Sequence, residues 1–290
     1  MEQVYIPIIA IGGAICFASG QICSRIGLNH GTPTTAITFS LFTSTIILST
    51  MLGPLVDWGH APTRAVWIFT LAGILSPFAT QILLFISAAK VGISRASPLR
   101  NTTPLFAGLV AVLALGETLT VPIVAGTLLI ISGATLLGVK DSKDTGDYKR
   151  IYLLLPVTAA LLGGFSSPMR KFGYTLIDSV PFAICLVQAG AFVGLMTYLF
   201  TTKKYRELVF RRDTLFWFGA SGVLNSIAVS LNMTALGMGD VVVVSPLIAT
   251  TPLFTVLFTS IFLRSFERVT RRVVIGALAI CSGGIVLTAL

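Results

Sequence analysis

Residues 97–106 read SPLRNTTPLF, and residues 245–254 read SPLIATTPLF. Eight of the ten letters agree across a separation of 148 residues, and each copy lies inside a long apolar run. The agreement extends outward. Glu117, Thr120, Gly126 and Gly133 are matched by Glu267, Thr270, Gly276 and Gly283, now 150 residues on, so two residues are inserted after the shared TTPLF. Near the ends of the first and sixth apolar segments, Arg25-Ile-Gly27 is echoed by Lys171-Phe-Gly173. The chain is a tandem repeat.

The 290 residues are 54% hydrophobic and 11% charged, against roughly a quarter charged in a soluble domain. That composition belongs in a membrane. A helix needs about 20 mostly apolar residues to cross a bilayer, and isolated strands cannot satisfy their backbone groups in lipid. Helices are therefore predicted near 4–27, 34–56, 65–89, 93–115 and 121–139, and again near 151–176, 181–201, 214–237, 241–263 and 271–290. Between the two sets lies the most polar run of the chain, KDSKDTGDYKR, at 140–150. The expected fold is an all-α integral membrane protein of ten transmembrane helices. Its parts are a five-helix repeat over 1–139, a polar linker over 140–150 and a second repeat over 151–290. Five is odd, so the second repeat enters the membrane in the opposite sense. Inverted repeats of this kind support alternating access around a site near the midplane.

Several function classes fall away. Cys16, Cys23, Cys185 and Cys281 lie scattered in apolar segments without a CxxC pair, and His30 and His60 lie in separate connections. Neither a disulfide framework, a metal site nor a cofactor is expected. The chain has no HExxH, no paired intramembrane acids and no Ser/His or Cys/His couple, so no catalytic residue is assigned. The net charge of +9 reads as cytoplasmic loops facing anionic lipid rather than as a nucleic-acid surface. The first apolar segment starts close to Met1 without a basic leader and is long enough to span, unlike a cleavable signal peptide.

All eleven acids fall in connections or at helix edges. The one ionisable group placed inside a helix is Arg100. At helical spacing its face carries Ser97, Thr103, Pro104, Ala107 and Ala111, and the second copy presents Ser245, Ile248, Thr251, Pro252, Thr255 and Thr259. Polar residues in membrane helices face a cavity or a partner helix, so these two faces are expected to line one pathway. Pro104 and Pro252 cannot donate to the carbonyls four residues back, which frees those of Arg100 and Ile248. With Pro98 and Pro246 they mark kinks. Gln21, Gln81, Ser166 and Asn225 complete the candidate substrate-binding set, and each of them serves equally well as a hydrogen bond between helices. For Arg100 the alternative is snorkelling towards lipid headgroups, which is the expected behaviour of Arg25 and Lys171 at helix ends.

SPLRNTTPLF followed by ALGETLT at 114–120 and LIISG at 129–133, with a degenerate second copy, resembles the EamA-type branch of the drug/metabolite transporter superfamily. The second copy departs from it with Ser265-Phe266-Glu267 in place of Gly-Glu, and the first helix lacks the tryptophan that many members carry. The resemblance implies secondary transport of a small metabolite, often export of amino acids. It also implies a central cavity lined by helices one, three, four, six, eight and nine, which leaves Gln188 on helix seven outside. Its four-helix relatives dimerise through the terminal helix. By that analogy Gly126, Gly133 and Gly138 with Gly276, Gly283 and Gly284 allow the close approach that joins the two halves, and the chain is a monomer or homodimer. The expected function is a transporter, in the exporting direction, for a small anionic or zwitterionic metabolite such as an amino or organic acid. A lipophilic-cation or drug exporter would need a buried carboxylate, which is missing. A flippase for a phosphorylated lipid carrier is the other alternative.

Charge sets the orientation. Sixteen Lys and Arg residues fall in the odd-numbered connections and three, Arg64, Arg170 and Lys171, in the even ones and termini. The positive-inside rule then puts the odd connections in the cytoplasm and both termini outside, opposite to the usual drawing of the family, in a multi-pass protein of the cell (plasma or inner) membrane.

Overall fold

Polar residues and prolines set the helix boundaries. Thr32 accepts the Thr35 N–H at 3.2 Å just ahead of Pro33, and Ser179 accepts the Phe182 N–H at 3.4 Å just ahead of Pro181. Each is a hydroxyl cap followed by a proline in the first turn, where the missing N–H costs nothing. A computed structural model describes residues 2–59, 61–91, 93–138, 150–262 and 271–288. Helix α1 (Glu2–Gly27) is followed by α2 (Pro33–Leu52), α3 (Thr63–Gly73), α4 (Thr80–Val91), α5 (Ile93–Arg100), α6 (Thr103–Leu115) and α7 (Val121–Gly138). The second half holds α8 (Leu154–Leu176), α9 (Val180–Thr201), α10 (Arg212–Met238), α11 (Val241–Ile248), α12 (Thr251–Phe262) and α13 (Arg271–Thr288). Eight spans, four from each half, are long and apolar enough to cross a membrane, while Val121–Leu137 and Val274–Leu287 are apolar but shorter. The expected linker at 140–149, with His60, Glu267 and Thr270, lies outside the described residues.

The halves interlock, and the main contacts between them have counterparts with the halves exchanged. Helix α1 packs on α10 as α8 packs on α3; α10 also meets α2 as α3 meets α9; α1 meets α12 as α8 meets α6. The pairs α2 with α9 and α7 with α13 bridge equivalent helices. Glycine makes these approaches possible. Gly13, Gly20 and Gly27 recur every seventh residue on α1 and face Asn232, Asn225 and Phe218, which recur every seventh residue on α10. The glycine of the echoed Arg-Ile-Gly and Lys-Phe-Gly triplets has one role in both copies. A Cβ on Gly27 would sit 2.6 Å from the Phe218 ring, and one on Gly173 would sit 2.5 Å from the Phe69 ring.

Three segments expected to be continuous are broken. The run 93–115 divides into α5 and α6 at Asn101–Thr102, and the run 241–263 divides into α11 and α12 at Ala249–Thr250. Between α3 and α4, residues Ile74–Ala79 form a π-helical turn in which Ser76 is extended (φ −149°, ψ 126°) ahead of Pro77. Arg170 and Lys171, counted above among the connections, stand inside α8, as Arg25 and Lys90 stand in the last turns of α1 and α4.

Two buried apolar clusters dominate. One joins Ala10, Ala107, Ala111, Ile123, Ala235, Val241, Val242, Leu247 and Leu287; the other joins Leu48, Phe69, Tyr174, Phe182, Ile184, Val187 and Met233. Their members come from the start of α1, the ends of α2, α6, α8, α10 and α13 and the beginnings of α3, α7, α9 and α11. All these ends lie on one face of the molecule, called here the terminal face.

Candidate functional site

The repeated decapeptide builds the same articulated break twice. Thr102 Oγ1 donates to the Leu99 carbonyl at 2.6 Å and Thr103 Oγ1 to the Arg100 carbonyl at 2.7 Å. In the second copy Thr250 Oγ1 donates to Leu247 and Thr251 Oγ1 to Ile248, both at 2.7 Å. The backbone follows the same pattern. Thr102 N donates to Leu99 O at 3.3 Å and Thr250 N to Leu247 O at 3.2 Å, while Leu105 N and Leu253 N reach back to the first threonine of each pair. The carbonyls that Pro104 and Pro252 leave without a backbone donor thus receive threonine hydroxyls, which is the chemistry that preserves TTPLF in both copies.

These breaks sit at the edge of an asymmetry. On the terminal face α6 packs against α11, with Ala107 and Ala111 fully buried beside Val241, Val242 and Leu247. Exchanging the halves would pair α5 with α12, and among the described residues those two helices do not pack comparably. Among the described residues, then, the two breaks are joined on the terminal side, by α6 against α11, and not on the other by α5 against α12. Ala107 and Ala111, expected on a pathway wall, belong to the joined side.

Glu117 fastens that junction. Its two carboxylate oxygens accept the N–H groups of Val241 at 3.0 Å and Val242 at 2.9 Å, so it caps the start of α11 in the other half. Gly116 makes this reach possible with left-handed backbone (φ 70°), a conformation open to glycine at little cost. A carboxylate on a helix N-terminus gains from both the free N–H groups and the dipole. Replacing Glu117 with alanine is expected to lower stability by about 0.5–2 kcal/mol. Asp240→Ala should change it little, since the Asp240 side chain makes no capping bond; thermal unfolding of the purified protein compares the two.

The other candidates distribute as follows. Arg100 ends α5, half-buried, with no ion pair among the described residues. Pro98 lies inside α5 and Pro246 inside α11, whereas Pro104 and Pro252 occupy the first turns of α6 and α12. The Ser97 side chain is outside the described residues. Gln21 and Thr255 come together, the Thr255 hydroxyl donating to Gln21 Oε1 at 3.3 Å and to Thr251 O at 3.0 Å. Ser166 is buried and donates to the Ala72 carbonyl at 2.9 Å. Asn225 donates to Ser40 Oγ at 2.8 Å, leaving its own buried Oδ1 without a partner. Gln81 is half-buried on α4, and Ser245 and Thr251 are buried. Gln188 is buried between α2 and α9, donating to Ser44 Oγ at 2.8 Å.

Two cations behave differently from the sequence expectation. Lys171 does not snorkel: its Nζ donates to Gly239 O at 2.8 Å and Gly237 O at 3.4 Å, capping the C-terminus of α10. Arg170 turns inward to the Ser76 carbonyl at the break between α3 and α4. The signal that would have found it is that Arg170 and Lys171 fall between Pro168 and Gly173, within the apolar run 151–176.

The profile described as the EamA-like transporter family matches residues 5–139 and again residues 150–289. A solved structure described only as the crystal structure of a protein is similar at a TM-score of 0.78 and 16% identity, over 97% of this chain and 96% of that one. At that identity the likeness shows the fold alone. A search of curated proteins gave no match.

Proposed function

Because the chain belongs to the EamA-like transporter family, we propose that it is a ten-span secondary transporter carrying a small anionic or zwitterionic metabolite, such as an amino or organic acid, out of the cell by alternating access. The observation that supports this most is Arg100. A guanidinium stays charged at any relevant pH, and burying it requires an anion, carbonyls or water. Arg100 has no acidic partner among the described residues and ends α5 at the first break. A substrate carboxylate would complete a bidentate pair there. Gln21, Gln81 and Ser97 are proposed to bind the rest of the substrate; the hydroxyls of Thr103, Thr251, Thr255 and Ser166 already serve carbonyls. In this reading the linker face is cytoplasmic.

The test is uptake of labelled amino acids, organic acids and sugars into proteoliposomes. Acid uptake above empty vesicles is expected; transport confined to lipophilic cations or to none of these classes would overturn the reading. Orientation has its own test. Arg206 is exposed in the connection before α10 and Asp57 in the one before α3. In a background without native cysteines, Arg206→Cys should react with an impermeant maleimide only after permeabilisation, and Asp57→Cys in intact cells. The reverse result would place the termini in the cytoplasm.

A further inference from the structure

Helix α8 turns one face to α3 along its length. Gly173 receives the Phe69 ring, Ser166 Oγ holds the Ala72 carbonyl, and Arg170, between them, meets Ser76. Ser76 lies near the middle of the span Thr63–Ser87. Its extended backbone turns its carbonyl out of the helix, and one Nη of Arg170 donates to it. The other Nη faces only the Met233 sulfur at 3.8 Å, a weak acceptor, and the buried Nε has no partner. A guanidinium carries five N–H donors, so most of this one remains unanswered. No acid pairs with it among the described residues. Lys171, the next residue, is different: its charge is fully engaged at the end of α10.

A cation held within the membrane by one good acceptor is costly unless an anion visits it. We propose that Arg170 is a second anion-binding point, taking a carboxylate or phosphate group on its Nε edge. Tyr174 and Met233 stand behind it, tied by a hydrogen bond of 3.1 Å. Arg170 meets Ser76 near the middle of its span, and Arg100 ends α5, in the other half from α8. The pair gives an acidic substrate a second cation on its path. The inference rests on the transporter reading above and assigns a residue that reading does not use.

The probes are inorganic phosphate and acetate, titrated against the full chain in nanodiscs, with the thermal midpoint as readout. Both should raise the midpoint of the wild-type protein. Arg170→Gln, which removes the charge and the fork, should weaken the response roughly tenfold or more. Arg170→Lys, which keeps the charge and lacks the forked edge, should weaken it to an intermediate degree and reports the same site if the glutamine variant fails to fold. Lys171→Gln should leave it within about twofold, the charged donor having been removed from a helix end. Loss with Arg170→Gln but not with Lys171→Gln supports the site, whether or not Arg100→Gln also loses it. An equal loss with Lys171→Gln would reduce the effect to general attraction and overturn the site. Loss with Arg100→Gln alone would overturn Arg170 and leave the transporter reading standing; no response to either anion in the wild type would overturn it as well.

Discussion

Replacing Arg100 with alanine is expected to abolish transport of acidic substrates while the protein still reaches the membrane. The side chain is half-buried at the end of α5, and its carbonyl, held by Thr103, does not depend on the guanidinium. Local structure should therefore survive. What is lost is the charged, two-pronged donor. Arg100→Lys keeps the charge but not the fork, and should weaken binding by about 1.5–3 kcal/mol, the range for hydrogen bonds to charged groups. Transport by the two variants in proteoliposomes, set beside any neutral substrate the wild type accepts, gives the answer. Near-normal uptake of an acid by Arg100→Ala would leave Arg100 as an interfacial anchor.

The second large effect belongs to the seam between α7 and α13. A Cβ on Gly133 would lie 2.5 Å from the Gly276 carbonyl oxygen, and one on Gly283 would lie 2.6 Å from the Gly126 carbonyl oxygen. Both obstacles are backbone, which cannot swing aside. Gly133→Ala should cost about 1–3 kcal/mol by overpacking, and Gly133→Leu should prevent the seam from closing. Gly284, expected at the seam with Gly283, instead faces away and has open space where its Cβ would be, so Gly284→Leu should fold normally. Thermal unfolding and size-exclusion profiles of the three variants decide it. Equal stability of Gly133→Leu and Gly284→Leu would show that the seam is not a close helix contact.

The repeat was legible because its letters serve the same backbone chemistry twice: each TTP triplet both breaks a helix and supplies the hydroxyls that answer the break. The glycines of the echoed triplets and of α7 and α13 were legible for the same reason, as points where two helices meet. The interruption at Ile74–Ala79 was not, since a single Pro77 within an apolar run is compatible with a kinked but continuous helix. Arg170 was hidden for a related reason. Six residues from the end of α8, it counts as a loop cation until its acceptor is known, and that acceptor is a carbonyl 94 residues away, exposed by the unforeseen break. Glu117 invites a local capping role, yet its partners lie 124 and 125 residues on. Patterns along one helix could be read; pairings across the molecule depended on geometry.

The threonine bonds at the two breaks bear on motion. A proline kink in lipid ordinarily leaves a bare carbonyl, and any swing that uncovers it is opposed by the cost of an unsatisfied polar group in hydrocarbon. Here the hydroxyl that answers each carbonyl stands across the break, Thr103 on α6 for Arg100 on α5 and Thr251 on α12 for Ile248 on α11. Each bond therefore spans its joint at Asn101–Thr102 or Ala249–Thr250 and ties the two segments together. They behave as tethered joints, in which any change of angle has a polar link to stretch as well as side chains to shift.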